Sequence, residues 1–139
     1  MELALEEGRL LQELDHPNIV KCHEIFKPTP ADPNAYLVME LMECSLNDVL
    51  DLAGPLDEHQ LACLFKQIVL AVEHCHSQGL VHHDLKPQNV LISTDENGII
   101  KKVKLADFGL CRKTTDELEV GTGINCTLKF AAPELLTVG

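Results

Sequence analysis

Polar residues suited to phosphoryl transfer are concentrated in the second half of the chain. Asp84, Lys86 and Asn89 fall within one short stretch held by Pro87, and Asp107 follows eighteen residues after Asn89. A carboxylate accepts hydrogen bonds, an ammonium offers a point charge to a phosphate, and amide and carboxylate oxygens are ligands for Mg²⁺. Asn89 and Asp107 could hold the metal while Asp84 receives a proton. This set suits phosphoryl transfer, in which positioning and charge neutralisation supply most of the catalysis.

A predicted hairpin would bring these groups together. Val90 to Ile92 and Val103 to Ala106 have the composition of short strands, and Asp95 to Gly98 forms a turn between them. The two ends of such a hairpin are neighbours in space. We therefore expect Asn89 and Asp107, which flank the strands, to lie close together.

The elements that precede this hairpin are helices and strands. The patterns predict a first helix with leucines 3, 10, 11 and 14 on one face, ended by His16-Pro17. Strands are predicted at Ile19 to Phe26 and at Ala35 to Glu40. Residues Glu43 to Ser45 then open a predicted short helix that runs through Leu52. This mixed order, followed by an irregular C-terminal segment, indicates an α+β fold.

A longer helix is the clearest element of the sequence. Asp57 is its predicted N-cap, Gln60 completes a capping box, and Gly79 ends it. Its predicted apolar face consists of six residues: Leu61, Leu64, Phe65, Ile68, Val72 and Cys75.

Composition excludes several classes of protein. The 139 residues carry 11 basic and 22 acidic side chains, a net charge of −11, which disfavours binding to nucleic acid. No apolar run approaches the roughly 20 residues of a membrane span, and the acidic start differs from a secretory signal. We expect no membrane partner and an intracellular, cytoplasmic location. The six cysteines are scattered without C-x-x-C spacing, which disfavours a zinc site.

Three motifs resemble those of the eukaryotic protein kinases. V-H-H-D-L-K-P-Q-N-V-L-I, residues 81–92, is similar to the catalytic loop of that family. L-A-D-F-G-L, residues 105–110, is similar to its metal-binding motif, and A-A-P-E, residues 131–134, to the motif that closes the activation segment. Their order leaves almost no room for coincidence. The resemblance implies a protein kinase-like two-lobed fold that is incomplete, with the end of the N-lobe, the hinge and the first half of the C-lobe.

The resemblance covers the whole chain, residues 1–139, as a partial kinase domain. Residues 1–39 would form an N-lobe remnant with helix C and strands 4 and 5, residues 40–44 the hinge, and residues 45–139 part of the C-lobe with the catalytic loop and activation segment. Only six residues precede Glu7, so we expect the Gly-rich loop and the third-strand lysine to be missing. On this interpretation the chain alone is inactive.

The resemblance also implies the cofactors, ATP and Mg²⁺, and a protein substrate with a serine or threonine hydroxyl. Asp84 would orient the hydroxyl and accept its proton, and Lys86 would neutralise the γ-phosphate. Thr127 would bridge Asp84 and Lys86, as in the serine/threonine class. Asn89 and Asp107 would hold the metal.

The nucleotide would be held by residues nearer the N-terminus. By resemblance Met39 is the gatekeeper, Glu40 and Met42 offer backbone groups to adenine, and Leu91 lies beneath the ring. Glu7 would pair with the third-strand lysine. Four further residues match the internal spine of an active kinase: Leu11, Cys22, His82 and Phe108.

His83 departs from the family pattern, which has arginine at this position. A neutral imidazole cannot provide the bidentate hydrogen bonds with which arginine grips a phosphate. Activation by phosphorylation of Thr114, Thr115 or Thr122 is therefore not expected. We expect the activation segment to be set by its sequence.

A second interpretation treats the chain as a truncated, non-catalytic kinase-like interaction module. Leucines that lack their usual neighbours would leave apolar faces exposed, and a protein partner could cover them. The retained catalytic residues favour the enzyme, whereas the missing lysine and glycines favour the module.

Overall fold

The computed structural model describes residues 2–114 and 127–133. Within these ranges the predicted α+β class is confirmed. The helices are α1 (Glu2–Glu13), α2 (Leu46–Ala53) and α3 (Glu58–Ser77), with 3₁₀ turns at Pro87–Asn89 and Leu128–Phe130. The strands are β1 (Cys22–Phe26), β2 (Tyr36–Met39), β3 (Cys44–Ser45), β4 (Leu80–Val81), β5 (Val90–Thr94), β6 (Ile100–Leu105) and β7 (Arg112–Lys113). None of the described helices is long and apolar enough to cross a membrane.

The strands form three small antiparallel sheets. β1 pairs with β2, β5 lies between β3 and β6, and β4 pairs with β7. In the β5–β6 hairpin Val90 pairs with Leu105, and the Ala106 N–H donates to the Asn89 carbonyl at 2.9 Å. The predicted hairpin is thus present, and the loops that carry Asn89 and Asp107 leave it at the same end.

The strand expected from Ile19 to Phe26 begins later, at Cys22. Ile19 instead forms a parallel bridge with Leu105, and the Val20 N–H donates to the Leu105 carbonyl at 2.9 Å. The backbone at residues 18–20 therefore bonds to the end of β6 rather than to β2. This pairing joins residues 85 and 86 positions apart, so local sequence patterns could not predict it.

The predicted capping box of α3 is confirmed, since Asp57 and Gln60 bond each other reciprocally at its start. Ser45 and Asp48 form a second capping box at the start of α2, which was not predicted. Gly79 follows the C-cap of α3 with φ +70°, a left-handed conformation that favours glycine.

The predicted apolar face of α3 is only partly buried. Leu64 and Cys75 are buried as expected, and Ala71 is buried as well. Leu61 and Phe65 are exposed, Phe65 by 57%. The described neighbours of α3 are chiefly β4 and β6, which cover one narrow stripe of a helix that is apolar on more than one side.

Two apolar clusters hold the elements together. The first lies under α1, and its buried members are Leu11, Leu14, Ile19, Val20, Cys22, Ala71, Cys75, Leu80, Leu105, Phe108 and Cys111. The second lies between α2, α3 and the β3–β5–β6 sheet, and its buried members are Leu46, Leu64, Val90, Ile92 and Val103. The hairpin that carries the polar loops is therefore anchored on both sides.

Gly8 lets α1 approach the β1–β2 sheet closely. A Cβ atom at this position would lie 2.6 Å from Leu37 Cδ2 and 2.9 Å from Ile25 Cδ1, closer than real Cβ contacts. The absent side chain therefore sets the distance between helix and sheet. It also sets the position of the neighbouring Glu7.

Leu64→Ala should destabilise the chain by about 2–5 kcal/mol, because Leu64 is fully buried and its removal leaves a cavity. Leu52 is 89% exposed, so Leu52→Ala should change stability by less than about 0.5 kcal/mol. Urea unfolding of both variants measures the difference. Equal losses of stability would contradict the described packing of α3.

Candidate active site

His82 anchors the loop that follows β4. The Asp84 N–H donates to His82 Nδ1 at 3.2 Å, so the ring hydrogen is on Nε2, which donates to the Ala106 carbonyl at 3.0 Å. The ring also packs edge-to-face on Phe108, with centroids 4.8 Å apart. One buried imidazole thus ties the loop at Asp84 to the segment that precedes Asp107.

Asp84 is a buried carboxylate surrounded by donors. Its Oδ1 accepts from Thr127 Oγ1 at 2.8 Å, and its Oδ2 lies 2.6 Å from Lys86 Nζ and 3.0 Å from Asn89 Nδ2. Burial alone raises the pKa of Asp84, but the hydrogen bonds from Lys86 and Thr127 outweigh it and lower the pKa below its ordinary value. The carboxylate is therefore held in its ionised form.

Thr127 and Lys86 complete a closed triangle with Asp84. Lys86 Nζ donates to Thr127 Oγ1 at 2.8 Å, while the same hydroxyl donates to the carboxylate. Lys86 is expected from the family resemblance to contact a phosphate, whereas in this structure its ammonium contacts Asp84. A flexible four-carbon stem allows it to reach a neighbouring anion from there.

The two expected metal ligands leave the hairpin side by side. Asn89 uses its Nδ2 to bond Asp84, and within the described residues its Oδ1 accepts no hydrogen bond. Asp107 is exposed, with φ +61°, a conformation uncommon outside glycine. The described residues contain no cluster of three His, Cys, Asp or Glu side chains that could hold a metal. One amide and one carboxylate oxygen fit Mg²⁺, which usually keeps waters and phosphate oxygens as further ligands.

Glu7 contacts the site in a way that sequence reasoning missed. Its Oε1 accepts from the Phe108 N–H at 3.0 Å, which links α1 to the segment after Asp107. Burial raises the pKa of Glu7 and the nearby Asp107 adds to this, while the bond from Phe108 opposes it. No lysine or arginine pairs with Glu7 within residues 2–114 and 127–133. The position of Glu7 on the apolar face of α1 was the feature of the sequence that could have indicated this contact.

The four expected adenine contacts lie near the edge of the β1–β2 sheet and on β5. Met39 ends β2 and is exposed, Met42 is half-buried, and Leu91 packs against the first core cluster. The Glu40 N–H is already used, since it donates to the Lys21 carbonyl at 2.9 Å. Of the two backbone polar groups of Glu40, only the carbonyl has no hydrogen bond to the described residues.

The Glu40 side chain has a structural partner that the sequence did not indicate. It lies 2.6 Å from Lys104 Nζ and also accepts from the Lys21 N–H at 2.8 Å. Burial raises the pKa of Glu40, but the hydrogen bonds from Lys104 and the Lys21 N–H together outweigh burial and lower the pKa below its ordinary value. The carboxylate therefore stays ionised. The pair fixes the end of β2 to β6.

A cavity of about 230 Å³ opens beside Asp84 and Thr127. Its other walls are mostly apolar and include Leu85, Phe130 and Ala131. Asp84 and Thr127, whose side chains bond each other, therefore share one wall of this cavity.

His83 lies at the wall of this cavity with φ +65°. Burial and the nearby Arg112 both lower the pKa of His83, so the ring is neutral near pH 7. The Thr114 N–H donates to the Gly79 carbonyl at 2.8 Å. The expectation about phosphorylation stays a prediction, because Thr115 and Thr122 lie outside the described residues. Glu134 of the A-A-P-E motif lies outside them as well.

The four residues expected to form a spine are all buried. Leu11, Cys22 and Phe108 belong to the first core cluster, and His82 contacts Phe108. The polar site is therefore supported from below by a continuous apolar core.

Glu7→Gln should remove one component of the pH dependence of stability. A raised pKa means that the folded chain binds the proton more tightly, so stability falls as pH rises from the ordinary value of 4.5 through the folded pKa. Glutamine keeps an acceptor for Phe108 without titrating. Urea unfolding between about pH 4.5 and pH 7 should show a smaller fall for Glu7→Gln than for the wild type.

Glu13→Gln is the matched control, because Glu13 lies on the same helix and is exposed. Its pH profile should follow the wild type. Identical profiles for all three proteins would contradict the assigned burial of Glu7.

Comparison with known proteins agrees with this arrangement. The family model of the protein kinase domain matches residues 1–139. The chain is 39% identical over 137 residues to Sperm motility kinase 3A of Mus musculus, covering 96% of this chain and 25% of that protein. It is 37% identical over 139 residues to Serine/threonine-protein kinase cds1 of Schizosaccharomyces pombe, covering 97% and 28%.

A third relative is Mitogen-activated protein kinase p38a of Drosophila melanogaster, 35% identical over 136 residues, with coverage of 94% and 35%. The chain thus spans between a quarter and about a third of the length of these relatives. The match over the full chain, together with the loop that holds Asp84, establishes that this chain belongs to the eukaryotic protein kinase family.

Proposed function

We propose that the chain is part of a serine/threonine protein kinase, which transfers the γ-phosphoryl group of ATP to a protein hydroxyl. The observation that carries the proposal is the buried Asp84 carboxylate, bonded by Lys86 and Thr127 at the mouth of an open cavity. On this proposal the serine or threonine side chain of the substrate would enter the cavity beside Asp84. Relatives named as serine/threonine kinases support the same class.

In the proposed reaction the acceptor hydroxyl donates its hydrogen bond to Asp84. The proton passes to the carboxylate as the hydroxyl oxygen forms a bond to the γ-phosphorus. The bond from the γ-phosphorus to the bridging oxygen breaks at the same time, and ADP leaves. The low pKa of Asp84 suits orientation of the hydroxyl, and the proton moves late, when the bond to phosphorus is largely formed.

Lys86 would turn from Asp84 to the transferred phosphoryl group when substrates bind. Its contact with Thr127 would keep the ammonium near the carboxylate during this movement. Asn89 and Asp107 would hold Mg²⁺ through Asn89 Oδ1 and a carboxylate oxygen. When bound, the metal supplies charge neutralisation of the phosphates.

The nucleotide would lie beside the segment of residues 40–44, which is the proposed hinge between lobe parts at 1–39 and 45–139. Met39 would bound the adenine pocket, the Glu40 carbonyl and the backbone of Met42 would bond the base, and Leu91 would lie beneath it. Because the Glu40 N–H is occupied, adenine would meet an acceptor at that residue, which suits its amino group.

The alternative function is a non-catalytic interaction module. Its supporting observation is the exposed apolar stripe on α3, where Phe65 is 57% and Val69 59% exposed. A module of this kind would bind its partner regardless of the charge at Asp84. An enzyme would depend on that charge.

Asp84→Asn and Asp107→Ala should each lower phosphoryl transfer by about 10²–10⁴-fold, because one removes the proton acceptor and the other a metal ligand. The measurement is transfer of labelled phosphate from ATP to a protein substrate by the longest native product that contains this chain. Asp95→Asn is the control, since Asp95 bonds its own turn and Lys101. Unchanged transfer in Asp84→Asn would refute the enzyme, and partner binding indifferent to it would favour the module.

A further inference from the structure

Two histidines join the connection between α1 and β1 to helix α3. The rings of His16 and His74 stack with centroids 4.9 Å apart and planes inclined by 26°. Both side chains are half-buried. The Asn18 N–H donates to His16 Nδ1 at 3.1 Å, so this nitrogen carries no hydrogen and the ring is neutral.

The stacked pair lies where three elements meet. Asn18 Nδ2 donates to Gln67 Oε1 on α3 at 3.0 Å and to the Val103 carbonyl on β6 at 2.9 Å. The Leu105 N–H donates to the Asn18 carbonyl at 2.8 Å. The His16–His74 contact thus closes a junction of α3, β6 and the chain that leads out of α1.

We propose that His16 and His74 form an acid-sensitive latch, which is closed while both imidazoles are neutral and opens when they are protonated. Protonation of His16 Nδ1 turns an acceptor into a donor that faces the Asn18 N–H, so that bond is lost. Protonation of both rings places two positive charges within 5 Å of each other. Both changes oppose the contact.

The surrounding charges favour the neutral form. From β6, Lys104 faces His16, with its ammonium 2.6 Å from Glu40 and 3.4 Å from the Ile19 carbonyl. Asp15 precedes His16, but its side chain is 92% exposed and lies 3.9 Å from Lys21.

On α3 the neighbours of His74 are Glu73 and His76, and both are exposed to solvent. Within the described residues, no carboxylate forms an ion pair with either ring of the latch.

The sign of the effect follows from these contacts. Burial lowers the pKa of His16, and the charges of His74 and Lys104 lower it further. The folded chain therefore excludes a proton that the unfolded chain binds. The latch contributes its full stability above the ordinary pKa of 6.5, and this contribution declines below that value until it is lost as pH falls through the lower pKa of the folded state.

The latch is separate from the residues proposed for phosphoryl transfer, yet it holds the end of the segment that carries Glu7. Acidification would loosen the junction behind α1 without protonating Asp84, whose pKa is low. The device would make the packing of α1 sensitive to pH in the physiological range, where histidine is the side chain that titrates.

The test compares urea unfolding at about pH 7.5 and about pH 5.5 for the wild type, His16→Asn and His74→Phe. Asparagine can still accept from the N–H two residues on, and phenylalanine keeps a stacked ring, but neither titrates. The folding constant of the wild type should fall several-fold more than that of either variant, up to about tenfold per excluded proton and pH unit. His76→Asn is the control and should follow the wild type.

Equal falls for the wild type and both latch variants would overturn the proposal. If a variant fails to fold, nitrogen-detected NMR of the wild-type histidines decides. The latch requires hydrogen on His16 Nε2 near pH 7 and a His16 titration midpoint below the ordinary value of 6.5. A His16 midpoint at or above 6.5 would refute it.

Discussion

The arrangement depends on one buried carboxylate that must stay ionised. Asp84 is 7% exposed, and burial by itself would favour its neutral form. Lys86, Thr127 and Asn89 each bring a donor within 3.0 Å of its oxygens. Lys86 and Asn89 belong to the same loop as Asp84, whereas Thr127 lies 43 positions further along the chain. The conformation of the loop depends on these donors meeting at Asp84. The same hydrogen bonds therefore hold both the loop and the proposed site.

The same carboxylate is tied to the rest of the molecule through its backbone. His82 accepts from the Asp84 N–H and donates to Ala106, and its ring rests on Phe108. The Phe108 N–H in turn donates to Glu7 on α1. This series of contacts joins the proposed base, the proposed metal ligand and the first helix. A shift of α1 can therefore reach the site through two hydrogen bonds and one ring contact.

Local sequence signals predicted most of the helices and strands, but they did not predict the contacts between distant segments. The capping box of Asp57 with Gln60 and the β5–β6 hairpin each depend on residues that are close together in the sequence. The pairing of Ile19 with Leu105 and the Glu40–Lys104 ion pair join distant segments, and no local pattern encodes them. Phe65 was predicted to be buried because it continues the apolar spacing of α3. Apolar residues recur on more than one face of this helix, so the spacing alone does not show which face is buried. The site residues were found from motif resemblance, whereas the bond from Glu7 to Phe108 required the structure.

The most direct test of the account is the pKa of Asp84 itself. Carbon-13 NMR of the aspartate carboxyl groups, with Asp84 assigned from the Asp84→Asn spectrum, follows its titration while the chain remains folded. The account predicts a midpoint below the ordinary value of 3.8, and a higher midpoint in Thr127→Ala, which loses the hydroxyl donor. A wild-type midpoint at or above 3.8, unmoved by Thr127→Ala, would contradict it.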